Sequence, residues 1–86
     1  MSQSFTVDDL ARILREGAGE DGGIEQSTLD ISFAELGLES LALLEATVLI
    51  GQQFGVDLDD SVLTDVGTPR ELIRVVNEGL AATAVG

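Results

Sequence analysis

The chain has 86 residues, of which sixteen are Asp or Glu and four are Arg, with no Lys or His, so its net charge is −12 at pH 7. Nucleic acid and anionic membrane surfaces repel such a chain, because phosphate contact needs cationic side chains, whereas proteins with basic patches attract it. The absence of Cys excludes disulfides, thiolate metal sites and thiol catalysis, and no metal site is expected; without His the commonest general acid and base near neutral pH is missing as well.

This length suits one domain, residues 1–86, and the 44% apolar content supports a helical core and argues against disorder. The first ten residues are polar and acidic, unlike a secretory signal, and the longest apolar stretch, residues 41–50, is broken by Glu45 and is too short to span a bilayer. A cytoplasmic protein is expected.

Thr6 precedes an acidic turn, Asp8 and Asp9, and Val7, Leu10, Ala11 and Leu14 then fall on one stripe, which predicts a first helix over residues 7–17. Glycines and acids from Gly17 to Gly23 open a long loop, with Leu29 and Ile31 as its expected anchors to the core. Ser32 and Glu35 fit a capping box at the start of a single turn that Gly37 ends. A second helix is predicted over residues 40–54, closed by Gly55 in the left-handed conformation. Residues 57–65 suit a short helix with acids in its first turn. Thr68, Pro69 and Glu71 then form a helix start, with Leu72, Val75, Val76 and Leu80 as the buried stripe and an Ala-rich tail expected to fray. The resulting class is all-α: a four-helix bundle of three main helices and one short one, with a long loop between helices one and two.

The second helix has two apolar faces. At about 100° per residue, Leu43, Ala46, Thr47, Ile50 and Phe54 cluster in one direction, and Leu41, Leu44 and Val48 in the opposite one. The first set is broader and predicts the core face. The second, bordered by Glu45, is expected to stay partly exposed as a docking stripe, unless residues 17–38 wrap over it. Ser40, at the helix start, reads on position alone as a cap; the same place also suits a covalently held phosphate, because free N–H groups and the positive end of the helix dipole stabilise an anion. Spacing alone leaves both open.

The run Phe33-Ala-Glu-Leu-Gly-Leu-Glu-Ser-Leu-Ala-Leu-Leu-Glu45, followed by Phe54-Gly-Val56 and Thr68-Pro-Arg-Glu-Leu72, resembles the acyl carrier proteins across residues 7–80. The resemblance implies that Ser40 receives 4′-phosphopantetheine from coenzyme A through a separate magnesium-dependent transferase, and that the arm's thiol holds acyl groups as thioesters. It also implies that partner enzymes read Glu39, Leu41, Leu44, Glu45 and Val48. The chain departs from the pattern at Glu39, where aspartate usually precedes the serine. Its serine-bearing helix is poorer in acids than those of fatty-acid carriers, and it looks most like discrete carriers of bacterial type II aromatic polyketide synthases. The partners implied are the phosphopantetheinyl transferase, a ketosynthase with its chain-length factor, an acyltransferase and tailoring enzymes, with the chain itself a monomer and not an enzyme.

Arg70 and Asn77 stand seven residues apart on the margin of the last helix's core stripe, which suggests contacts with the carbonyl oxygens of a carried polyketide; a solvated edge with local salt bridges is the plainer alternative. Other functions remain open at this stage: a fatty-acid or peptidyl carrier, an unmodified acidic adaptor, or a small enzyme using paired carboxylates such as Asp59 and Asp60.

Overall fold

A computed structural model describes residues 4–58 and 61–85. Among the described residues four helices follow in order: α1 (Val7–Ala18), α2 (Ser40–Phe54), α3 (Ser61–Asp65) and α4 (Pro69–Val85), with one 3-10 turn (Gln26–Thr28) in the loop between α1 and α2. This is the expected four-helix arrangement. Asp59 and Asp60, the pair considered for catalysis, lie outside the described residues.

A reciprocal cap starts α1. The Thr6 hydroxyl accepts from the Asp9 N–H at 3.2 Å, and the Asp9 carboxylate accepts from the Thr6 N–H at 3.0 Å. The helix runs one residue beyond the expected Gly17 and closes at Gly19, whose φ of 84° lets its N–H reach the Arg15 carbonyl. Gly17 thus lies inside the helix, at its close approach to α2: a Cβ there would sit 3.0 Å from Leu49 Cδ1.

The core forms where α1, α2 and α4 meet. Leu10, Ile13, Leu14, Ile50, Leu72 and Val76 are fully buried, and Phe5 meets Phe54 edge to face with ring centroids 5.0 Å apart. Ile13 widens the stripe expected of α1, and Val75 is only half-buried in α4. The long loop is held by Ile24, Leu29, Phe33 and Leu38, all buried. Ile31, an expected anchor, is only half-buried and lies outside the core cluster. Its N–H closes a turn on the Thr28 carbonyl, which sends Leu29 inward in its place.

Two backbone hydrogen bonds fasten this loop to the approach to α4: Phe33 N–H to the Gly67 carbonyl at 2.9 Å, and Arg70 N–H to the Leu29 carbonyl at 3.1 Å. At the start of α4 the Thr68 hydroxyl accepts from Glu71 N–H, while Glu71 Oε1 accepts from Gly67 N–H, one residue further back than in a simple capping box. Two expected boundaries need correction. The described short helix is Ser61–Asp65, and residues 57 and 58, expected to belong to it, are not helical, because the chain leaves Gly55 non-helical and buries Val56 against α4 at Gly79. The Ala-rich tail is helical: α4 continues to Val85, as the high helix propensity of alanine favours.

Candidate functional site at the start of the second helix

The turn before α2 sets where Ser40 stands. The Ser32 hydroxyl accepts from Glu35 N–H at 3.1 Å, which is one half of the expected capping box, and Leu36 N–H returns to the Ser32 carbonyl. Gly37, at φ 80°, then reverses the chain so that Leu38 N–H reaches the Phe33 carbonyl, the wrap typical of a helical turn closed by a left-handed glycine. Leu38 goes into the core and Glu39 stays out.

Ser40 is not the cap that its position suggested. The backbone of Glu39 holds the cap position, extended at φ −86° and ψ 165°, and its carbonyl accepts from Leu43 N–H at 3.1 Å. No side chain caps α2. Ser40 is the first helical residue, exposed, and among the described residues no group bonds its hydroxyl. An exposed hydroxyl beside first-turn N–H groups that no side chain engages is a place where a phosphodiester fits.

The two faces of α2 separate as the wheel predicts. Leu43, Ala46, Thr47 and Ile50 are buried, whereas Leu41, Leu44 and Val48 are 66%, 40% and 51% exposed. The loop therefore leaves the outer stripe open. Thr47 is accommodated in the core because its hydroxyl donates to the Leu44 carbonyl at 2.7 Å. Glu39 and Glu45 flank the stripe, exposed, and their carboxylates have no hydrogen-bond or ion-pair partner among the described residues.

Arg12 and Arg15 are engaged elsewhere. Arg12 bonds Glu16 and Gln53, each at 2.8 Å, and Arg15 bonds Asp21 at 2.7 Å. These contacts hold the carboxyls of Glu16 and Asp21 below their ordinary range; for Glu16 the main cause is the Arg12 hydrogen bond, for Asp21 it is the Gly23 backbone N–H, followed by Arg15. The outer face of α2 therefore keeps its negative field uncompensated.

Arg70 and Asn77, expected to contact a carried polyketide, both bond protein groups in the unloaded chain. The Arg70 guanidinium forks onto Asp30, with Nε to Oδ1 at 2.7 Å and Nη2 to Oδ2 at 3.2 Å. Asn77 uses both ends of its amide on one residue: Oδ1 accepts from Phe5 N–H at 2.7 Å and Nδ2 donates to the Phe5 carbonyl at 3.0 Å. Asn77 is thus a latch for the segment ahead of α1. Its one sequence signal is a polar residue beside a core stripe, and that does not name a partner 72 residues away.

The match to a family model then decides the class: residues 6–76 match the phosphopantetheine attachment site. The chain belongs to the acyl carrier proteins. It is 55% identical over 82 residues to the monensin polyketide synthase acyl carrier protein of Streptomyces virginiae, covering 94% of this chain and 93% of that one. To the actinorhodin polyketide synthase acyl carrier protein of Streptomyces coelicolor it is 42% identical, covering 98% of this chain and all of the relative. Among solved structures, the actinorhodin carrier bearing a 3,5-dioxohexyl group, a triketide mimic, superposes with a TM-score of 0.82 at 40% identity, covering 95% and 98% of the two chains. The oxytetracycline acyl carrier protein superposes with a TM-score of 0.80 at 38% identity, covering 94% and 87%. These relatives are named as carriers, not enzymes, and the prosthetic group of the family is a covalently attached 4′-phosphopantetheine. Among the described residues no helix is long and apolar enough to cross a membrane.

Proposed function

We propose that this protein is the discrete acyl carrier of a type II polyketide synthase and that its phosphopantetheine arm is attached at Ser40. The observation that carries the attachment is the exposed, unbonded Ser40 hydroxyl at the first position of an α2 that no side chain caps. In the transfer the Ser40 hydroxyl loses its proton and its oxygen bonds the phosphorus bearing the pantetheine. The pyrophosphate bond of coenzyme A breaks there, and adenosine 3′,5′-bisphosphate leaves. The arm supplies the thiol that a chain without Cys lacks, and acyl groups ride on it as thioesters.

Leu41, Leu44 and Val48, flanked by Glu39 and Glu45, form the surface that enzymes with basic patches read. Those enzymes are the phosphopantetheinyl transferase, a ketosynthase with its chain-length factor, an acyltransferase and tailoring enzymes, and the carrier meets them as a one-domain cytoplasmic monomer. Similarity to polyketide carriers over nearly the whole chain favours this reading, the few acids on α2 disfavour a fatty-acid carrier, and the net charge of −12 fits a peptidyl carrier less well.

Incubation with a broad-specificity phosphopantetheinyl transferase, coenzyme A and magnesium, followed by intact mass measurement, tests the attachment. Wild type gains one phosphopantetheine and Ser40→Ala gains none. A wild-type chain that stays unmodified beside a positive control leaves the acidic adaptor.

A further inference from the structure

We propose that Gly22, held in place by Arg15 through Asp21, is a positioning residue for the modification of Ser40, because it braces residues 36–38, the segment that leads into α2. The inference rests on the attachment at Ser40 and adds what holds that serine in place. The need for a brace follows from the start of α2, where Glu39 holds the cap position and no side chain caps the helix. The first turn therefore stands where the chain leading into it stands.

Residues 36–38 are held from two sides. On one, the turn closes on itself: Leu36 N–H donates to the Ser32 carbonyl and Leu38 N–H to the Phe33 carbonyl, each at 3.0 Å. On the other stands Gly22. Its φ is 66°, and a Cβ on it would lie 3.0 Å from Leu38 Cγ and 3.1 Å from the Leu36 carbonyl oxygen. Backbone thus packs directly on the segment, and only glycine combines that conformation with that approach. Leu38, two residues ahead of Ser40, is buried beneath it.

Gly22 is itself fixed by its neighbours. Asp21 Oδ2 accepts from Arg15 Nη1, on the last turn of α1, at 2.7 Å, and Asp21 Oδ1 accepts from Gly23 N–H at 2.9 Å. Ile24 N–H returns to the Asp21 carbonyl at 3.2 Å, and Ile24 is buried. Gly22 lies inside this bracket, so the end of α1 is joined to the approach to Ser40 through one short stretch of loop. A hydroxyl that must meet phosphorus in line is sensitive to such a brace, since a displacement of about 1 Å can cost about a hundredfold in rate. Leu44 and Val48, on the proposed docking stripe, lie about one and two turns further along α2. Loosening the first turn therefore slows the chemistry and leaves docking as it is.

The test follows transferase kinetics with coenzyme A and magnesium, read by intact mass, for wild type, Gly22→Ala and Gly19→Ala. Both glycines have positive φ, but a Cβ at Gly19 meets nothing within 4 Å, so that variant carries the backbone strain without the contact. Gly22→Ala should lower kcat about tenfold at nearly unchanged KM. It should also speed hydrogen exchange of the Leu43 amide, which bonds the Glu39 carbonyl. Gly19→Ala should do neither. A carrier that is merely destabilised raises the apparent KM at constant kcat, because only its folded fraction is substrate. That outcome, or two variants that behave alike, overturns the inference. If Gly22→Ala does not fold, Arg15→Gln loosens the same brace from its far end. A fall in kcat that Arg15→Lys restores supports the brace; no fall, or one that Arg15→Lys leaves in place, overturns it. A wild-type chain that gains no mass overturns the attachment itself, and this inference with it.

Discussion

The two faces of α2 are built from the same kinds of residue and do opposite things. Leu43, Ala46 and Ile50 close the core, while Leu41, Leu44 and Val48, on the same fifteen-residue helix, remain in solvent. Burying one face is enough for stability, and the apolar character of the other is free to serve the recognition proposed for it. The comparison breaks down if truncations on the two faces have similar consequences.

The largest effect is expected on the inner face. Ile50→Ala removes a fully buried side chain and should cost about 3 kcal/mol in urea unfolding, from lost transfer energy and the cavity left behind. A cost under about 1 kcal/mol would mean that the neighbouring helices collapse onto the space.

Asn77→Ala comes next. It leaves the N–H and carbonyl of Phe5 without their partner and should cost about 1–2 kcal/mol. Hydrogen exchange at the Phe5 amide should accelerate, and the transferase should still modify the variant normally. An effect confined to loaded carrier would return Asn77 to the cargo.

Leu44→Ala, on the outer face, should change stability by less than about 0.5 kcal/mol while raising the KM of the transferase for the carrier. Unchanged kinetics together with unchanged stability would mean that the outer stripe is idle surface.

How much of this could be read beforehand follows from the range of each interaction. The division of α2 was legible because it rests on helical periodicity within fifteen residues. The loop was not: Ile24, Phe33 and Leu38 share no period, and Ile31 differs from Leu29 only in a turn that the sequence does not announce. The position of Ser40 was legible to within one residue. Whether serine or Glu39 occupies the cap depends on backbone angles set by Gly37 and Leu38. The attachment proposed at Ser40 rests on likeness to other carriers, since a bare serine at a helix start has no mark of its own.

The smallest effect concerns the carboxylates that lie away from α2's outer face. The Arg70 hydrogen bond holds the Asp30 carboxyl below its ordinary value of 3.8, and the Gly67 N–H, with the Thr68 hydroxyl, holds Glu71 below 4.5. A carboxyl depressed in the folded state contributes stability above its unfolded value and loses it as pH falls through the folded one. Both contributions are therefore present at neutral pH and disappear below about pH 4. Both groups face solvent, so the expected readout is the NMR titration of each carboxyl and not a large change in unfolding. In Arg70→Gln the midpoint of Asp30 should return toward 3.8 while that of Glu71 stays depressed, because its main cause is a backbone donor. If both midpoints rise together, Arg70 acts on the start of α4 as a whole, and the loop and that helix are coupled more tightly than the single fork to Asp30 implies.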